Sequence, residues 1–81
     1  TYAAMVHTLD ESIGRLVAAI RKAGQWENTV FVFTSDNGGF IGKADGQTVT
    51  SNHPLRSGKG SLYEGGIRVP LLIYAPGLKP A

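Results

Sequence analysis

The chain is 81 residues long, 42% apolar and 17% charged, with a formal net charge of +2 and no cysteine. That composition excludes the low-hydrophobicity, high-charge class of disordered proteins, and scattered Lys and Arg without interleaved aromatics exclude a nucleic-acid stripe. The missing cysteines exclude a disulfide framework, a thiolate metal site and a cysteine nucleophile within these residues, and no apolar run approaches the roughly 20 residues of a membrane span.

A chain this short buries only about 60 to 65% of its unfolded surface. It starts on Thr1, inside what already reads as a helix. The expectation is therefore a piece of a longer chain, marginal on its own.

Residues 1–23 place Tyr2, Met5, Val6, Leu9, Ile13, Leu16, Val17 and Ile20 at spacings of three and four, which draws one apolar stripe along a helix. Glu11 four residues before Arg15, cations at Arg21 and Lys22 in the last turn, and Gly24 just beyond it complete the signature. After "GQWENT", the β-branched and aromatic run over 30–34 lacks polar alternation and predicts a strand buried on both faces, hence a parallel sheet. A similar run over 69–74 predicts a second strand, with Pro70 tolerable near its start.

Between them lies a long loop, 35–68, which holds eight of the eleven glycines and no periodic stripe, although "GSLYEGG" has the makings of a turn or two. Loops of that length inside compact domains are usually functional or disordered. The predicted fold class is α/β: a helix, then two buried parallel strands joined by a glycine-rich site loop.

Two familiar motifs fail here. "SGKGS" is no phosphate loop, because the position five before the Gly-Lys pair holds His53 and the one after the lysine holds Gly60. "DNGGFIGKADG" is no EF-hand, because the third and fifth positions from Asp36 are Gly38 and Phe40, which offer no side-chain oxygen.

Asp36 and Asn37 lie just past the carboxyl end of the first predicted strand, where ligands gather in open parallel sheets. A carboxylate beside an amide carbonyl offers two hard oxygen ligands of the kind Ca²⁺ and Mg²⁺ prefer; an Asx-type turn at the strand end is the equal alternative. Lys59, flanked by glycines, carries three donors suited to phosphate or sulfate, against the ordinary reading of a solvated lysine. His53, six residues before Lys59, is either at a substrate entrance or a solvated loop histidine. Arg56 stands between the same two readings, His7 belongs to the helix surface, and Trp26 and Tyr63 are packing residues.

Taken together, "NTVFVFTSDNGG" and "PLRSGKGSLYEGGIRVPLLIYAPG" closely resemble the C-terminal half of the catalytic domain of the sulfatase family, and "TYAAMVHTLDESIGRLVAAIRKAGQWENT" resembles the helix before that strand. The resemblance implies an alkaline-phosphatase-like α/β fold and hydrolysis of sulfate esters through a formylglycine made from a cysteine or serine. It further implies that Asp36 and Asn37 are calcium ligands, that Lys59 contacts the substrate's sulfate, and that Arg68 and Glu64 support the loop.

The family's nucleophile motif, Cys or Ser followed by x-Pro-x-Arg, is nowhere in these residues, and neither are the paired aspartates that complete the calcium shell. By resemblance they lie upstream, so the chain alone is expected to be inactive. The residues carry no readable compartment signal; the resemblance is compatible with a periplasmic, secreted or lysosomal setting, and neither a particular sulfate ester nor an oligomeric state follows from it. Two rivals remain: a metal-dependent phosphodiesterase or phosphonate hydrolase of the same superfold, and a noncatalytic anion-binding module. Asn37, an oxygen ligand where such phosphodiesterases often place histidine, weighs against the first.

Overall fold

A computed structural model describes residues 1–78. The elements in chain order are α1 (Tyr2–Lys22), a 3₁₀ turn (Trp26–Asn28), β1 (Phe31–Thr34), β2 (Lys43–Ala44), β3 (Gln47–Thr48), α2 (Glu64–Ile67) and β4 (Leu71–Tyr74). The chain divides into two compact units, one formed by Thr1–Val32 with the segment from Ile73 onward, the other by Phe33–Leu72.

In the first unit the Thr1 hydroxyl caps α1 by accepting from the Ala4 N–H at 3.2 Å. The helix ends in a Schellman arrangement: Gln25 N–H donates to Ile20 O at 3.1 Å and Gly24 N–H to Arg21 O at 3.0 Å, so two terminal carbonyls are satisfied. On the helix surface Glu11 pairs with His7 at 2.8 Å rather than with Arg15, whose guanidinium donates to the Ser12 hydroxyl instead. Beyond the turn, the Trp26 ring stacks on Tyr74 with centroids 4.8 Å apart and lies tilted against Phe31 at 6.0 Å.

The second unit holds the long connection. β2 and β3 form a small antiparallel hairpin in which Lys43 faces Thr48 and Ala44 faces Gln47. Its two turn residues, Asp45 at φ 52° and Gly46 at φ 76°, are both left-handed, the requirement of a type I′ turn. Further on, α2 is a single turn in which Glu64 and Arg68 pair at 3.0 Å.

Two expectations about the strands are corrected. β1 and β4 pair in a two-stranded sheet, but they run antiparallel rather than parallel. The hydroxyl of Thr34, at the end of β1, donates to Pro70 O, just before the start of β4, at 2.9 Å. The reason lies in the connection: Gly38 N–H donates to Gly66 O at 2.8 Å, which folds the long loop back on itself and returns the chain to the end of β1 from which it left.

The strands are also not buried. Phe31 and Phe33 are half-buried and alternate with exposed Val32 and Thr34, while β4 is exposed throughout. Among the described residues no hydrophobic side chain is fully buried. One helix and a two-stranded sheet offer too little surface to cover both faces of the apolar strands.

Candidate functional site

Everything the sequence singles out for chemistry belongs to the second unit. β1 delivers the chain into Ser35, whose hydroxyl donates to Asn37 O at 2.8 Å and shapes the turn carrying Asp36 and Asn37. The Asn37 amide nitrogen donates to Gly38 O at 2.8 Å, so its N–H₂ end is engaged locally and its carbonyl oxygen is the end left to face a ligand. Asp36 is exposed. The hydrogen bond of an Asx turn from Asp36 would use the Gly38 N–H, but that group goes to Gly66 O instead.

The backbone just beyond the pair is packed too tightly for side chains. A Cβ built on Gly38 would fall 1.7 Å from Gly65 O, and one on Gly58 would fall 2.5 Å from Gly39 O. The three glycine-bearing segments around 38–39, 58 and 65–66 therefore meet backbone to backbone, and Gly38, Gly58, Gly65 and Gly66 are the buried residues there.

Lys59 enters the site through its main chain. Its N–H donates to Gly39 O at 2.9 Å, two residues after Asn37, and its ammonium-bearing side chain is exposed. The oxygen pair and the cation thus sit on two loop segments joined by a direct hydrogen bond. The turn brings Asp36, Asn37 and Lys59 to one loop cluster.

His53 follows Asn52 directly in the chain. It is exposed, its N–H donates to the Ser51 hydroxyl at 3.1 Å, and it borders a shallow hollow of about 280 Å³ whose lining mixes apolar Ile41 and Leu55 with Thr48, Thr50, Asn52 and Ser57. The Arg56 guanidinium lies 3.8 Å from the centre of the Tyr63 ring, a cation–π contact that occupies it. Its carbonyl accepts from the Gly65 N–H at 2.8 Å, which ties its loop to α2.

One residue of the cluster carries no signal in the sequence. The Asn52 amide nitrogen faces three carbonyls, Gly39 at 2.8 Å, Ser57 at 3.2 Å and Gly65 at 3.3 Å. No local pattern marks it, since its partners lie 13, 5 and 13 residues away in sequence.

As a donor set, Asp36 and Asn37 fit a hard cation, being a carboxylate and an amide oxygen on one turn. Among the described residues no group of three or more His, Cys, Asp or Glu side chains is gathered to hold a metal ion. Two oxygens fall short of the roughly six to eight ligands of a calcium site.

The whole chain, residues 1–81, matches the sulfatase family profile. Its relatives include a sulfatase of Formosa agariphila, 45% identical over 95% of this chain, and arylsulfatase J of Mus musculus, 42% identical over 96%. The N-acetylgalactosamine-6-sulfatase of Sus scrofa is 40% identical over 99% of the chain. The chain spans 14%, 12% and 15% of the length of these three relatives.

Proposed function

The chain belongs to the sulfatase family, and we propose that it forms part of an enzyme that hydrolyses sulfate esters, contributing a sulfate-binding lysine and part of a calcium site. The observation that supports this reading is the hydrogen bond from Lys59 N–H to Gly39 O, which ties the main chain of the lysine to the segment just after Asp36 and Asn37.

A sulfate ester carries one negative charge, and hydrolysis breaks the sulfur–oxygen bond to release an alcohol or phenol and sulfate. Charge on the nonbridging oxygens is stabilised by cations placed against them. Lys59 is suited to donate to one of those oxygens from an exposed ammonium on an unhindered stem. Asp36 and Asn37 would hold the calcium ion through a carboxylate and an amide oxygen, and neither is needed for proton transfer. Bound there, calcium would supply positive charge toward the sulfate. The nucleophile in this reading is a formylglycine supplied from outside these residues. His53 is assigned to the substrate entrance, beside the mixed polar and apolar hollow that it borders. A periplasmic, secreted or lysosomal setting belongs to the same proposal.

The test is a comparison of aryl sulfate and aryl phosphate esters as substrates of the full-length protein carrying this chain. Sulfate should be preferred. A clear preference for phosphate assigns the protein to the phosphodiesterases of the superfold, and hydrolysis of neither, with retained anion binding, makes it a binding module.

A further inference from the structure

We propose that Asn52 is the positioning residue that holds Lys59 in register with the Asp36–Asn37 turn. This role rests on the sulfate-binding reading of Lys59.

Three segments must be held together for Lys59 and the oxygen pair to face one ligand: the turn after β1, the loop before Lys59, and the start of α2. Asn52 touches all three, through Gly39 O at 2.8 Å, Ser57 O at 3.2 Å and Gly65 O at 3.3 Å. Gly39 O is the shared point, since it also accepts from the Lys59 N–H at 2.9 Å. One carbonyl therefore receives a donor from the proposed cation's own main chain and another from Asn52.

The contact is direct on both sides. A Cβ on Gly39 would come within 2.4 Å of the Asn52 side-chain oxygen Oδ1, and a Cβ on Gly58 within 3.0 Å of its side-chain nitrogen Nδ2. No side chain intervenes, so a displacement of Asn52 reaches the residue before Lys59 and the residue two after Asn37 without attenuation by flexible groups.

The chemistry also requires this residue type. Three carbonyl oxygens converge on one point in a half-buried place, and the amide N–H₂ of Asn52 offers its two hydrogens among them, one of them shared. An aliphatic side chain leaves Gly39 O with the Lys59 N–H alone and takes the amide donor away from Ser57 O and Gly65 O, and an aspartate sets negative oxygens against all three. Asn52 makes no claim on the reacting atoms; it acts through Gly39 and Lys59.

The experiment is a double-mutant cycle on the full-length protein, with Asn52→Ala, Lys59→Ala and the double variant assayed on an aryl sulfate. Asn52→Ala should lower kcat about 30- to 100-fold, with KM changed by less than about threefold, as for a cation misplaced by a fraction of an ångström. In the Lys59→Ala background the same substitution should cost less than about threefold, because the group it positions is already gone. Equal losses in both backgrounds, or full activity of Asn52→Ala, would overturn the proposal. If Asn52→Ala does not fold, Asn52→Ser, which keeps one donor, carries the same cycle. A failure of the sulfate-binding reading itself appears in a different arm, as unimpaired sulfate hydrolysis by Lys59→Ala alone, and that result overturns the Asn52 proposal with it.

Discussion

Gly38 N–H donates to Gly66 O at 2.8 Å, and the two chain segments cross there with no room for a side chain. The crossing closes the long loop and returns the chain to β4. Gly38→Ala would set a methyl group 1.7 Å from Gly65 O, against backbone that cannot rotate away. The expected cost is on the order of 3 kcal/mol, at the severe end of overpacking. Urea unfolding of the full-length protein measures it, and a change below about 1 kcal/mol would contradict the close approach.

Gly14 supplies the opposite case. It lies exposed inside α1, and nothing comes within 4 Å of a Cβ placed on it. Gly14→Ala should stabilise by about 1 kcal/mol, through helix propensity and a less flexible unfolded chain. The same unfolding experiment reads the sign, and destabilisation would mean that this face of α1 meets another part of the protein.

How far the molecule is legible in its sequence depends on where each determinant sits. The stripe of α1 and the glycine after its last turn are local, within reach of a period-3.6 reading. Strand direction is not local: the apolar run of β1 says what the strand avoids, while its antiparallel pairing with β4 depends on Gly38 meeting Gly66 far along the chain. The Asp45–Gly46 hairpin has a local signal in its Asp-Gly pair, but Lys43, Ala44, Gln47 and Thr48 around it lack the alternating apolar residues that usually accompany one. Asp36, Asn37 and Lys59 stand out by residue type in a glycine-rich loop. Asn52 does not, because its role is a convergence of three distant carbonyls, which only the folded backbone creates.

Lys59 offers the most direct test of the proposed chemistry. Lys59→Ala should lower kcat/KM for an aryl sulfate about 10²- to 10³-fold, the loss of roughly 3 to 4 kcal/mol seen when one preorganised donor to a developing anion is removed. Lys59→Arg should recover activity only in part, since a planar fork does not reproduce a compact ammonium at one oxygen. Folding is checked by an unchanged melting temperature, which an exposed side chain permits. Wild-type rates in Lys59→Ala would remove the lysine from the site.

The Asp36–Asn37 pair predicts different behaviour for the part and the whole. Calorimetric titration of calcium into the 81-residue chain should give binding weaker than about 1 mM, because two ligands leave most of the shell to water. In the full-length protein, Asp36→Ala and Asn37→Ala should each weaken calcium binding, and more so for Asp36, which loses a charge as well as an oxygen. Submillimolar binding by the short chain would show that these residues hold the ion without help.

Trp26 organises the first unit and is the only tryptophan of the chain, so it reports on its own surroundings. It is half-buried, stacked on Tyr74 at 4.8 Å, tilted against Phe31 at 6.0 Å, and carries the Arg21 guanidinium 5.0 Å from its ring centre. Aromatic pairs contribute about 0.5 to 1.5 kcal/mol beyond area burial, and an exposed cation–π contact adds about 0.5 to 1. Trp26→Ala removes all three contacts and should destabilise by about 2 to 3 kcal/mol, whereas Trp26→Phe keeps a ring in the stack and should recover at least half of that. Thermal unfolding of the two variants in the full-length protein decides the matter: equal losses from Ala and Phe would assign the effect to indole size or its N–H rather than to stacking.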